Sequence, residues 1–212
     1  MRHLSLTDRL LDELQHGLST CHQRPPAAAR AYPADEAEQG GLSEAEQAHV
    51  AGLMRVNNAG EVAAQGLYRG QALTARKQAQ SAAMIAAAEE ENEHLNWCQR
   101  RLSELDHSRS LLDGVWYWGS FTIGALAGAA GDKWSLGFVK ETEQQVCAHL
   151  DQHLQRLPEQ DRRSHAILTT MRADEARHAI NADQAGAAEL PQPVKAAMTL
   201  VSKIMTFSAY RI

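Results

Sequence analysis

Leucines 6, 10, 14 and 18 recur at every fourth position within residues 4–18, which predicts a short amphipathic helix. The texture then changes. Residues 23–41 (QRPPAAARAYPADEAEQGG) have no apolar period and are rich in proline, alanine and glycine, the pattern of a linker with little fixed structure. Ser43 and Glu46 form an S-x-x-E capping pattern, and helical periodicity continues from there to about Gln80. A second helix is predicted over residues 81–106, with Met84, Ala87, Ala88, Leu95, Cys98 and Leu102 on one stripe. Residues 133–157 and 162–186 read as two more, divided by a turn at Pro158. Pro191 and Pro193 precede a last amphipathic helix over residues 194–210. Between the two helix pairs, residues 114–131 run for eighteen positions without a charge.

Length and composition narrow the class. A chain of 212 residues suits one domain with a sizeable core, here residues 43–212, preceded by the helix and linker of residues 1–42. Apolar residues make up 44% but aromatics only 5%, which favours closely packed helices over a β sandwich. The net charge of -5, with no dense basic cluster, argues against nucleic acid as a partner. Cys21, Cys98 and Cys147 are far apart and lack CxxC spacing, so neither a disulfide framework nor a thiolate zinc site is expected, and a reducing compartment fits. The opening MRHLSLTDRLLDEL has no uninterrupted apolar run and does not read as a secretory signal.

Candidate chemistry begins with Glu-x-x-His, whose two side chains share one face of a helix. The chain holds five such pairs: Glu13/His16, Glu46/His49, Glu91/His94, Glu104/His107 and Glu175/His178. Two of them stand apart, because Glu61 precedes Glu91 by 30 residues and Glu143 precedes Glu175 by 32. That distance is one helix up and one helix down, so each unit reads as a helical hairpin carrying the same set. Glu143 lies among Leu136, Val139, Val146, Cys147 and Leu150 on its helical face, and Glu175 among Leu168, Met171, Ala179 and Ala182, so both acids point inward. Glu13/His16 and Glu104/His107 read as solvated. Four buried carboxylates need positive charge, and two divalent ions balance them. One Glu from each of two helices and Glu-x-x-His from the other two is the carboxylate di-metal pattern of ferritin-like bundles, and mixed oxygen and nitrogen donors favour iron or manganese, with iron the first choice. The predicted fold is therefore all-α: a ferritin-like four-helix bundle of two hairpins, a long apolar crossover and a C-terminal amphipathic helix. Glu90 and Asp174, next to the motifs, are either hydrogen-bond partners of ligands or surface charge. Tyr68, a heptad beyond Glu61, either borders the site or packs in the core, and plain core packing is the favoured reading.

The stretches RVNNAGEVAAQGLYRGQ (residues 55–71), EENEHL, KETEQQVCAHLDQHL and MRADEARHA resemble the demethoxyubiquinone hydroxylase family over about residues 50–212. The resemblance implies an O2-dependent di-iron monooxygenase of ubiquinone biosynthesis that hydroxylates the ring of a polyprenylated methoxy-methyl benzoquinol. The positions matching the family's ligands are Glu61, Glu91, His94, Glu143, Glu175 and His178, holding two iron ions. The family that the chain resembles also keeps a histidine at the position of His149, whose role stays open because it lies about 120° round the helix from Glu143.

A polyprenyl substrate points to a bilayer. Residues 114–131, with Trp116, Tyr117 and Trp118 at one end, suit an interfacial or partly inserted segment, although five glycines weaken the case for spanning; a buried crossover helix is the alternative. Gly124 and Gly128 form a small-xxx-small pair that permits close helix approach. The last helix suits a peripheral anchor or an ordinary packed helix. The expected location is the cytoplasmic face of a bacterial cell membrane, peripherally or monotopically attached, as a homo-oligomer or within a ubiquinone-biosynthesis complex. No Rossmann or flavin motif is visible, so electrons come from a reduced substrate, a small reductant or a partner protein. The competing readings are a peroxide-reducing protein or manganese catalase, and an iron-storage or lipid-binding module.

Overall fold

The computed structural model describes residues 5–38 and 40–212. Among them the regular structure is entirely helical: α1 Leu6–His22, α2 Glu44–Thr74, α3 Gln78–Glu104, α4 Asp113–Ala130, α5 Asp132–Arg156, α6 Arg162–Gln184 and α7 Gln192–Ala209. Leu4, where the first helix is predicted to begin, lies outside the described residues. α2 pairs with α3 and α5 with α6; contacts of α2 with α5 and of α3 with α6 close these hairpins into an all-α, ferritin-like four-helix bundle. α4 is the crossover and lies along α2. α1 rests on α2 and α4, and α7 on α2 and α5.

Local chemistry sets the helix ends. The Glu46 N–H donates to Ser43 Oγ and the Ser43 N–H donates to Glu46 Oε2 at 2.8 Å, so the capping box opens α2 as its spacing predicts. The other end differs from expectation. Helical periodicity continues to about Gln80, yet α2 stops at Thr74 because Ala75 and Lys77 take extended ψ values of 137° and 134°. The Arg76 N–H donates to Asp132 Oδ1 at 3.1 Å and its guanidinium to the Ala129 carbonyl at 2.9 Å. The turn is thus held from the α4–α5 junction, with no glycine or proline to announce it.

Residues 23–38 contain no helix, as expected of a linker, but they are not loosely held. Tyr32 and Ala34 are buried in a core cluster with Trp97, Cys98, Leu102 and Met171. The Arg100 guanidinium sits 4.0 Å from the Tyr32 ring centroid, and Arg163 Nη1 donates to the Ala34 carbonyl at 2.7 Å. The expectation of little fixed structure is therefore corrected. Proline and alanine remove helical periodicity without removing the capacity to pack.

Two apolar layers fill the bundle, one around Val50, Met54, Cys98, Leu150 and Leu168, the other around Tyr68, Ala88, Leu136, Val139 and Ala182. On all four helices the predicted metal-ligating acids fall between these layers. On the outside, α4 approaches α2 at backbone distance. A Cβ at Gly70 would run into the Phe121 carbonyl, and one at Gly124 into the Leu67 carbonyl, with Gly66 and Gly128 completing the seam. One face of the uncharged crossover is thereby packed, while Val115, Ile123 and Leu126 remain exposed. No helix among the described residues is long and apolar enough to cross a membrane.

Candidate metal centre

Each of the four bundle helices presents its acid to the same point in the core. Glu61 comes from α2, Glu91 and His94 from α3, Glu143 from α5, and Glu175 and His178 from α6; all six residues are buried. His94 Nδ1 lies 2.8 Å from Glu91 Oε2, 3.0 Å from Glu175 Oε1 and 3.7 Å from Glu61 Oε2. His178 Nδ1 lies 3.1 Å from Glu91 Oε1 and 3.4 Å from Glu175 Oε2. Glu91 and Glu175 thus turn one oxygen to each histidine. The donors fall into two overlapping sets, Glu61/Glu91/His94/Glu175 and Glu91/Glu143/Glu175/His178, with ligand atoms within 4.8 Å of one another in each.

Close as these groups are, both oxygens of Glu91, both of Glu175 and the Nδ1 atoms of both histidines are buried without a hydrogen-bond partner. Leaving six such atoms unpaired is costly unless they converge on something else. Two neighbouring cations would satisfy them, and the mixture of four carboxylates and two imidazoles suits divalent first-row metals. The donor set therefore fits a dinuclear centre.

Four buried carboxylates face two imidazoles, and the acidities of the cluster reflect this crowding. Burial, reinforced by the neighbouring carboxylates Glu91 and Glu175, pushes Glu61 and Glu143 well above the usual carboxylate range. Burial disfavours charge on His178, but the close approach of the Glu175 and Glu91 carboxylates outweighs this and raises it to about 11. His94 moves the same way, burial being outweighed chiefly by Glu91.

An apolar cavity of about 350 Å³ is bordered by Glu61, Glu143 and Glu175. Val56, Leu67 and Ile123 line it from α2 and α4, and Val194, Met198 and Met205 from α7. His149, its pKa lowered by burial, also borders this space.

Residues 48–209 match the family model described as "Ubiquinone biosynthesis protein COQ7". The chain belongs to the COQ7 family. Curated relatives named 3-demethoxyubiquinol 3-hydroxylase include one from Xanthomonas campestris pv. campestris, 54% identical over 96% of this chain and 94% of its own length. Another, from Xanthomonas oryzae pv. oryzae, is 54% identical over 97% of this chain and 94% of its own. A third, from Chromobacterium violaceum, is 53% identical over 98% of this chain and its full length.

In this COQ7-family chain the surroundings of the cluster go beyond what the sequence discloses. Asp174 Oδ2 sits 3.1 Å from His94 Nε2, and Glu90 Oε2 sits 2.9 Å from His178 Nε2, so both acids are partners of the histidines. Each leaves its ring's Nδ1 facing the cluster, as an outer carboxylate does for a metal-bound imidazole. Tyr68 was expected to be plain core packing, but its hydroxyl donates to Glu143 Oε1. Its heptad spacing from Glu61 was the available signal, yet helical spacing cannot tell a phenol that reaches an acid from one that only fills space. Of the other three Glu-x-x-His pairs, none joins the cluster. Glu46 caps α2 while His49 Nδ1 lies 2.6 Å from the Tyr210 hydroxyl, and Glu104 pairs with Arg163 at 2.8 Å. Glu13, predicted to be solvated, is buried and accepts from Arg69 Nε at 2.8 Å, because α1 folds back onto α2.

Proposed function

We propose that this COQ7-family protein is an O2-dependent monooxygenase that hydroxylates the ring of a polyprenylated demethoxyubiquinol, with two iron ions held by Glu61, Glu91, His94, Glu143, Glu175 and His178. One observation carries the reading: six buried donor residues converge, Glu91, His94, Glu175 and His178 with unpaired atoms, and Glu61, Glu143 and Glu175 border an apolar cavity. The family and the printed name of its relatives support the substrate.

The iron pair, when bound, supplies the redox chemistry that activates O2. The chain's own groups do the rest. Glu91 and Glu175 would be shared between the ions, Glu61 and His94 would complete one position, and Glu143 and His178 the other. Asp174 and Glu90 hold the histidine tautomers, and the Tyr68 hydroxyl keeps its proton, since burial and then Glu143 raise its pKa. The apolar walls keep bulk water from the reacting ring and orient it toward the acids. In the balanced reaction a ring C–H becomes C–OH, the second oxygen atom leaves as water, and two electrons and two protons are consumed from an external reductant.

The remaining length of the polyprenyl tail needs an apolar exit. α4 exposes Val115, Ile123 and Leu126, and α7 exposes Leu200, Val201, Ile204 and Phe207, with Lys203 on α7 and Arg211 just after it also exposed. These helices also contribute walls of the cavity. The reading is a peripheral seat on the cytoplasmic face of a bacterial cell membrane, the apolar faces against lipid and the cations near headgroups. Three free cysteines are in keeping with a reducing compartment.

The test is anaerobic Fe(II) loading followed by an O2 pulse with demethoxyubiquinol in liposomes. Two irons per chain and a hydroxylated quinol are expected. Peroxide turnover or iron mineralisation without ring hydroxylation would overturn the assignment.

A further inference from the structure

The two halves of the cluster match on the inside and differ on the outside. His178 Nε2 meets Glu90, whose side chain is 56% exposed and has Arg177 at 3.8 Å. His94 Nε2 meets Asp174, whose side chain is 5% exposed and clamped by two arginines. Arg177, one turn along α6, reaches Asp174 Oδ1 at 2.8 Å. The second is Arg30, from the segment between α1 and α2, whose Nη2 lies 2.8 Å from Asp174 Oδ2, the same oxygen that faces His94.

Arg30 is itself held from three directions. Its backbone N–H and that of Ala29 donate to Glu93 Oε1 at 3.1 and 3.2 Å, and its Nε pairs with the other Glu93 oxygen. Its guanidinium lies 4.8 Å from the centroid of Trp97, which packs 5.4 Å from the His94 ring. Arg30 therefore contacts both the carboxylate and the indole that confine this imidazole. Nothing from residues 5–38 makes the corresponding contact with Glu90.

We infer that Arg30 is a positioning residue that makes the two metal positions unequal, fixing Asp174 and through it the His94 ring, so that docking of residues 23–38, the strap between α1 and α2, is coupled to metal binding on the His94 side. The inference rests on the six-ligand reading above. An imidazole whose outer N–H is pinned keeps its inner lone pair aimed inward; freeing the pinning carboxylate typically weakens metal affinity by about 10- to 100-fold. Coupling is reciprocal, so metal should in turn tighten the strap.

The experiment titrates the full-length protein with Fe(II), and with Co(II) as a spectroscopic probe, anaerobically. His94→Gln and His178→Gln assign each binding step to its half of the cluster. Wild type is expected to bind two ions unequally, and Arg30→Gln to weaken the His94 step by about tenfold while leaving the His178 step in place. Arg30→Lys should recover only part of the loss, because an ammonium cannot span Glu93 and Asp174 as the guanidinium fork does. In wild type, hydrogen exchange at the Ala29 and Arg30 amides should slow on loading. Arg100→Gln is the control: it releases the strap at Asp35 and Tyr32 without touching Asp174. Equal weakening of both steps, no weakening, or the same effect from Arg100→Gln would overturn the inference. Failure of wild type to bind two ions would instead overturn the ligand reading beneath it.

Discussion

Tyr68 shows how a single atom separates packing from chemistry. Its ring belongs to an apolar layer of the bundle, while its hydroxyl donates to Glu143. Tyr68→Phe keeps the ring and deletes the donor. The expected result is an unchanged helical spectrum and about tenfold weaker metal binding at the His178 step, read by anaerobic titration. An unaltered titration would reduce the hydroxyl to a bystander. The six inward acids and histidines were legible beforehand because their spacing repeats, 30 residues in one hairpin and 32 in the other, with apolar neighbours on the same helical face. Tyr68, Asp174 and Glu90 were visible only as candidates, and Arg30 carried no signal. What they touch depends on which helix or strap stands opposite, and no local pattern encodes that.

At the scale of helices, the α2–α4 seam depends on what is missing from its surfaces. Gly70 and Gly124 let each backbone meet the other's carbonyls, so the first methyl added there collides with main chain and not with a side chain that can swing away. Gly70→Ala should therefore lower stability by about 1 to 3 kcal/mol, seen as a reduced midpoint in denaturant melts of the metal-free protein. A neutral result would mean that α4 shifts freely on α2. The small-xxx-small pair on α4 was readable in advance as a close-approach surface, but α2 as its partner was not. The break at Ala75–Lys77 was likewise hidden, since Asp132 and the Ala129 carbonyl, both remote in sequence, stabilise it.

For the molecule as a whole, burial of charge and exposure of apolar surface are two halves of one arrangement. The bundle buries a cluster of acids, and the crossover and last helix leave aliphatic and aromatic groups outside, beside the cavity that reaches those acids. If the outer faces of α4 and α7 meet lipid, the paired change Ile204→Ser and Phe207→Ser should reduce co-sedimentation with anionic liposomes several-fold. Each side chain contributes about 1.5 to 3 kcal/mol when removed from water. Iron stoichiometry should be unaffected, because neither residue is near the ligands in sequence or lines the cavity. Equal sedimentation would remove the membrane seat. The helical class, the doubled hairpin and the six candidate ligands were determined by the sequence alone, because helix periodicity and ligand spacing are local properties of a chain. Tertiary structure decided which Glu-x-x-His pairs assemble, where α2 ends, that residues 23–38 pack as a strap, and that a cavity opens beside the acids. Those outcomes depend on through-space satisfaction of buried charge and on the filling of volume between distant segments, quantities that no single stretch of sequence contains.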